Sequence, residues 1–188
     1  MVGKKILFEF DATSNYEEAV EDFVFESRSY GESVAVFTRR GGSLQSALTR
    51  QRGIRLFYLT AQTSVPTAGA FGNEILLPLN NTSLSLEALN QMVYTNPHGN
   101  VSIVFDSLSG LILSIGFEKT YNFVCYALEM LASERITALF LLNPHAHDPK
   151  VVSSLRGLFN NQLVYNAHEM RAVKIAGDYK NENKIQKK

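Results

Sequence analysis

The chain has 188 residues, a length that suits one domain. Eighteen lysine and arginine residues balance eighteen aspartate and glutamate residues, and 45% of the chain is hydrophobic. This composition excludes a disordered chain, and it argues against nucleic acid as a partner because backbone-binding domains usually carry a basic excess. The single cysteine excludes an intramolecular disulfide and a cysteine-based zinc site.

Strand-like and helix-like patterns alternate from the N-terminus onward. The predicted strands, in chain order, are residues 4–10, 33–38, 54–59, 74–79, 101–106, 137–142, 163–165 and 170–175. The predicted helices are 16–30, 43–52, a segment containing Leu86 to Val93, 108–133 with a break near Gly116, and a last one from Pro149 to Phe159. Residues 60–73 are rich in Thr, Ala, Gly and Pro and are predicted to form a loop.

This alternation predicts an α/β fold, a three-layer sandwich around a mostly parallel sheet that ends in an antiparallel hairpin. We predict one domain over residues 1–178 and a disordered charged tail over 179–188. The longest uncharged apolar stretch, 108–117, is about half of a membrane span. The N-terminal apolar run is interrupted by Glu9, unlike a signal peptide. We therefore expect a cytoplasmic protein with no membrane partner.

Ligands of parallel sheets bind at the carboxyl ends of the strands, so the residues that follow each predicted strand are the candidates for a site. We assign no catalytic residue and no metal ligand set. The candidate ligand-binding residues are Asp11, Thr13, Arg39, Arg40, Gly41, Asp106, Ser107 and His147.

The most informative run is VSIVFDSLSGL, residues 101–111, which resembles a Walker B segment. In a phosphoryl-transfer site, Asp106 would hold the magnesium ion directly or through water. The alternative is that Asp106 caps the helix that follows. Capping roles are also expected of Ser43, of Ser83 or Ser85, and of Thr13 and Ser14 at the starts of their helices.

A longer stretch, FDSLSGLILSIGFEKTYNFV through ALFLLNPHAHDPKVVSSLRGLF, covers about a third of the chain between residues 105 and 159. It resembles archaeal KaiC-like domains of unknown function, which have a RecA-type core and are largely degenerate as ATPases. The resemblance implies a RecA-like sandwich. It also implies possible self-association, because RecA-type domains tend to pack side by side.

The chain departs from that family where an ATPase needs its phosphate loop. A working loop is rich in glycine and ends in Gly-Lys-Ser/Thr, whereas residues 11–20 read DATSNYEEAV, with neither glycine nor lysine. The family's catalytic acids would follow the strand 33–38, but the chain has Arg39 and Arg40 there. Without the phosphate loop and the catalytic acids, the chain lacks the positioning and charge stabilisation on which phosphoryl transfer depends.

The turn from Arg39 to Ser43 has two guanidinium groups beside a helix start, which suits either an anion site or an exposed turn. His145 and His147 resemble a metal pair, but they lie in a loop without a third ligand nearby. For His147 and Asp148 we expect a role in shaping and capping the turn into the last helix.

These observations favour a non-catalytic KaiC/RecA-like domain with a regulatory or signalling role. Its partner would be another protein or a small organic ligand, with the loop 60–71 and the terminal hairpin as candidate surfaces. The alternative is a nucleotide-binding protein or weak ATPase with a non-standard phosphate site. Mg-nucleotide would then be the cofactor, held by Asp106 with Arg39 or Arg40 in place of the lysine.

Overall fold

Strands and helices alternate along the described part of the computed structural model, residues 2–49, 51–166 and 169–176. The strands are β1 (Lys5–Phe10), β2 (Ser33–Arg39), β3 (Ile54–Thr60), β4 (Thr67–Ala68), β5 (Glu74–Pro78), β6 (Val101–Asp106), β7 (Ile136–Leu142), β8 (Asn161–Asn166) and β9 (Glu169–Lys174). The helices are α1 (Tyr16–Ser29), α2 (Ser43–Leu48), α3 (Thr82–Tyr94), α4 (Leu108–Ile115), α5 (Phe117–Met130) and α6 (Pro149–Leu158).

The strands form one sheet in the order β4-β5-β3-β2-β6-β7-β1-β8-β9. Every neighbouring pair is parallel except the two at the edges, where β4 runs antiparallel to β5 and β9 runs antiparallel to β8. The first strand therefore lies inside the sheet, between β7 and β8. This arrangement confirms the predicted α/β fold with a mostly parallel sheet and a C-terminal antiparallel hairpin.

Helices cover both faces of the sheet, which explains why its inner strands are almost wholly apolar. In β1, Ile6 and Phe8 contact α1 and α2 on one face, whereas Leu7 points to the opposite core. That opposite core is formed with α3, α4, α5 and α6. Successive side chains alternate between the two faces, so each strand contributes to both cores.

Phenylalanines form the centre of the larger core. The ring of Phe105 on β6 lies 5.8 Å from that of Phe37, 6.1 Å from that of Phe140 and 5.0 Å from that of Phe123, measured between centroids. Phe37 in turn stacks on Phe57 at 4.4 Å. These contacts join four neighbouring strands, β3, β2, β6 and β7, to α5, and they hold β6 in place within the sheet.

Several predicted helix ends are wrong by a few residues, because other side chains take the capping role. The cap of α3 is Asn81, whose Oδ1 accepts the Leu84 N–H, and neither Ser83 nor Ser85 caps it. Ser43 is the first residue of α2 and does not cap it, and α2 ends at Leu48, well short of residue 52. The break near Gly116 is present, since this residue separates α4 from α5 with φ +88°.

The predicted loop 60–73 contains the short strand β4, which pairs with β5. Across residues 2–49, 51–166 and 169–176, the helices are too short or too polar to cross a bilayer. The predicted disordered tail, 179–188, lies outside the described residues.

Candidate functional site

Asp106 ends β6 at the carboxyl edge of the sheet, directly beside Thr38 on β2. Its side chain lies on the face covered by α1 and α2, and the residue is only 8% exposed. The Thr38 hydroxyl donates a hydrogen bond of 2.7 Å to Asp106 Oδ2. The carboxyl group is therefore held in place by a neighbouring strand.

Tyr16, the first residue of α1, lies next to this carboxyl group. Its ring stacks on Phe10 with a centroid separation of 4.0 Å, and its hydroxyl lies 3.3 Å from the Ser43 Oγ. Burial, together with the nearby negative charge of Asp106, raises the pKa of Tyr16, which keeps the phenol neutral. An aromatic side chain thus fills the space between the start of α1 and the end of β6.

Burial raises the pKa of Asp106 to about 6, and the nearby negative charge of Glu17 adds to the effect. The hydrogen bond from Thr38 stabilises the carboxylate and acts in the opposite direction. Because this acid has a higher pKa in the folded state than its ordinary 3.8, its ionisation costs stability. The cost is absent below pH ~4, grows between pH ~4 and ~6, and is complete above that range.

We expect Asp106→Asn to stabilise the protein by about 1–3 kcal/mol at pH 8, because the asparagine needs no ionisation. The gain should shrink towards zero as the pH falls to 4, because the wild-type carboxyl is then protonated in the folded state and no charge is buried. Urea denaturation at pH 4, 6 and 8 measures the effect. Asp22→Asn, at an exposed position of α1, is the control and should change little. A loss of stability at pH 8 in the Asp106 variant would contradict the assignment.

The turn between β1 and α1 is closed by its own side chains. Asp11 Oδ1 accepts hydrogen bonds of 2.8 Å from both the backbone N–H and the hydroxyl of Thr13. The Ser14 N–H donates to the Asp11 carbonyl at 2.9 Å. The prediction that Thr13 and Ser14 cap α1 is wrong, because the N-cap is Asn15, which makes no side-chain hydrogen bond to the helix. The hydrogen bonds from Thr13 also lower the pKa of Asp11.

In the predicted anion-binding turn after β2, some of the hydrogen-bond donors are already bound to other groups of the protein. The Gly41 N–H donates to the Gln45 Oε1 at 2.6 Å, and Arg40 Nη1 donates to the Gln62 Oε1 at 2.9 Å. Arg39 is exposed, and its side chain makes no hydrogen bond or ion pair with the described residues. The Arg40 guanidinium group is thus bound to Gln62, and a role for Arg39 or Arg40 in place of the phosphate-loop lysine stays a prediction.

Ser107 caps α4, with its Oγ accepting the Gly110 N–H at 3.1 Å. The expectation that Asp106 would supply this cap is wrong, because the Asp106 carboxyl group is turned towards Thr38. Ser107 is thus occupied by a structural contact one residue after the site. The next serine, Ser109, is bound to the Asn143 backbone, which ties α4 to the end of β7.

The expected cap of the last helix is present. Asp148 Oδ1 accepts the Lys150 N–H at 2.8 Å, and Pro149 begins α6. Burial lowers the pKa of His147, and its Nε2 has no hydrogen-bond partner among the described residues. Within the described ranges, no three His, Cys, Asp or Glu side chains converge in a way that could hold a metal ion.

The structure therefore brings Asp106 together with Thr38, Tyr16 and Ser43, while the remaining candidates lie at separate turns. Sequence motifs alone do not identify three members of this cluster, Thr38, Tyr16 and Ser43. A signal exists only for Tyr16, a large aromatic residue at the start of a helix where a phosphate loop would have glycine, lysine and a hydroxyl.

Comparisons with known proteins agree with this architecture. No protein-family model matches the chain, and no curated protein matches it. Among solved structures, the protein studied as PH0250 from Pyrococcus horikoshii OT3 superposes with a TM-score of 0.68 at 15% identity, over 95% of this chain and 89% of that one. The KaiC-like protein PH0186 from the same archaeon superposes with a TM-score of 0.62 at 13% identity, over 94% and 81%. With its mostly parallel sheet and C-terminal hairpin, the chain has a RecA-like fold of the kind found in KaiC-like proteins.

Proposed function

We propose that this chain is a non-hydrolysing RecA-like domain with a regulatory or signalling role, in which the fold acts as a ligand-sensing or protein-interaction scaffold. The observation that carries the proposal is the filled space at the start of α1. The Tyr16 ring lies beside Asp106, is stacked on Phe10, and has its hydroxyl 3.3 Å from the Ser43 Oγ.

The turn before α1 supports the same conclusion. A phosphate loop binds triphosphate through free backbone N–H groups and a lysine. Here the N–H groups of Thr13 and Ser14 are bonded to Asp11, and the turn contains no lysine. Glu17 and Asp106 add negative charge at the position that a triphosphate would occupy. Binding there would require the turn to open and the tyrosine to leave its stack.

The alternative, a nucleotide site without a standard loop, is favoured by one observation. Arg39 lies next to Thr38, at the end of the strand that borders Asp106, and its guanidinium group is exposed. A nucleotide bound there would need Asp106 to exchange the Thr38 hydroxyl for magnesium. This arrangement could bind Mg-nucleotide weakly, and the experiment below separates it from the proposal.

Thermal unfolding with Mg-ATP, Mg-ADP and AMP tests the proposal directly. A ligand present at a hundred times its Kd stabilises the folded state by about 2.7 kcal/mol. Each kcal/mol moves the midpoint of a domain of this size by roughly 2–4 °C, so such binding would be visible. We expect no shift at millimolar nucleotide. A magnesium-dependent shift that Asp106→Asn abolishes, and Asp22→Asn preserves, would replace the proposal with the nucleotide-binding alternative.

A further inference from the structure

A second site lies on the other face of the sheet, at the same carboxyl edge, between the terminal hairpin and α6. It is a cleft of about 390 Å³. Residues of β1, α6 and the hairpin line it, among them Glu9, Arg156, Gln162, Val164, Arg171 and Val173. This volume is in the range of pockets that bind small organic molecules, and the carboxyl edge of a parallel sheet is where such ligands bind.

The floor of the cleft is built from buried polar groups. Glu9 is 3% exposed, and its two carboxylate oxygens accept hydrogen bonds of 2.6 and 2.7 Å from Arg156 Nε and Nη2. Gln162, also buried, donates its amide Nε2 to the Arg156 carbonyl at 2.7 Å. Glu9 therefore fixes the guanidinium group through two hydrogen bonds, and Gln162 holds the backbone of the same residue. This order lowers the entropy that the site would lose on binding a ligand.

The fixed guanidinium group has a second edge that is not used by the protein. A guanidinium has five N–H groups, and Glu9 takes one from Nε and one from Nη2. The remaining N–H groups make no hydrogen bond to the described residues, and the Arg156 side chain is 48% exposed. This free edge has the fork geometry that binds a carboxylate through two parallel hydrogen bonds.

A second cation and an apolar wall complete the site. Glu9, Val164 and Arg171 lie in one row across β1, β8 and β9, because Glu9 pairs in register with Val164 and Val164 with Arg171. Val173, 55% exposed, adds apolar surface beside the row, and Phe10 also lines the cleft. With the His145 imidazole neutral, two arginines against one glutamate leave a single positive charge among the residues that line the cleft.

From these groups we infer that the cleft binds a small organic monocarboxylate, with its carboxylate on Arg156 and Arg171 and its apolar body on Val164 and Val173. One surplus positive charge matches one negative charge, and the valines match an apolar body better than they match a phosphate dianion. The inference identifies a ligand class for the sensing role. It concerns a site separate from Asp106, so it stands or falls independently of nucleotide binding.

The test uses the full chain and NMR titration of backbone amides with benzoate, benzamide and inorganic phosphate. Benzoate has the charge and the apolar ring, benzamide has the ring alone, and phosphate has charge alone. For a ligand of benzoate's size we expect a dissociation constant of about 1–10 mM. The amide signals of Val164, Arg171 and Val173 should shift with benzoate. Benzamide and phosphate should leave them unchanged at the same concentration.

Arg171→Gln provides the matched variant, because this side chain is exposed and its loss should not disturb folding. It should weaken benzoate binding at least fivefold, the expected order for one lost charge-assisted hydrogen bond (~1 kcal/mol or more). Arg52→Gln, at an exposed arginine in the turn before β3, should leave the affinity unchanged. Equal shifts with benzamide, tighter binding of phosphate, no shift with benzoate, or equal affinity in the Arg171 variant would each overturn the inference.

Discussion

Replacing Phe105 with alanine is expected to lower the free energy of unfolding by about 3–5 kcal/mol, the largest effect of any change considered for this protein. The side chain is fully buried on β6, and its ring contacts those of Phe37, Phe123 and Phe140. Phe105 lies between the neighbouring strands β2 and β7 and under α5, so the core has little freedom to collapse into the cavity that alanine would leave. Most of the cavity term should therefore add to the lost transfer free energy.

Urea denaturation followed by circular dichroism measures this loss. A change in midpoint with an unchanged dependence on urea concentration would show that the native stability has altered, and not the compactness of the unfolded state. Phe25 offers a control of the same residue type, because it lies on α1 and is 67% exposed. Phe25→Ala should change the free energy by less than about 0.5 kcal/mol. Similar losses in the two variants would contradict the assigned core.

Arg156→Gln is expected to cost about 2–4 kcal/mol, because it leaves the buried Glu9 carboxylate without its bidentate partner. This loss of stability lies slightly below that expected for a fully buried ion pair, because the Arg156 side chain is 48% exposed and the cleft is open to water. Glu9→Gln should cost less, about 1–2 kcal/mol, because the arginine that remains can still be hydrated. Thermal or urea denaturation of the single variants provides both values.

The double variant Glu9→Gln/Arg156→Gln distinguishes pairing from packing. If the cost of Arg156→Gln arises from an unpaired charge, removing that charge should restore part of the stability. The double variant should then be more stable than Arg156→Gln alone, and the effects of the single changes should not add. Strictly additive losses would show that the two side chains contribute separately, and the ion pair would no longer explain the conformation of the cleft floor.

The order of elements along the chain could be predicted because each apolar strand and amphipathic helix carries its own local periodicity. The break at Gly116 and the cap at Asp148 are also local signals, and both are present. Sheet order is not local, and the sequence contains no periodicity that places β1 between β7 and β8. The errors at the helix starts have a simple cause: Asn81 and Gly42 compete with neighbouring serines that suit the capping position equally well.

The sequence likewise predicts individual residues of the candidate site but not the long-range contacts between them. Asp106 follows from a strand that ends in an acid, whereas its contact with Tyr16 depends on how α1 enters the sheet. The pairing of Glu9 with Arg156 joins residues that are 147 positions apart, beyond any motif. One signal could have pointed to it. Glu9 is the one charged residue in the buried part of β1, residues 6–10, and a charge on a strand covered on both faces needs a partner.

The position of β1 also determines when the protein can fold during its synthesis. Lys5 pairs in register with Ala138, and Ile6 pairs with Asn161, so both neighbours of β1 are synthesised well after it. Until they emerge from the ribosome β1 has two open edges, while β2 and β3 can already pair with each other. An apolar strand must be kept from aggregating throughout this interval, the period in which a chaperone would be of most use.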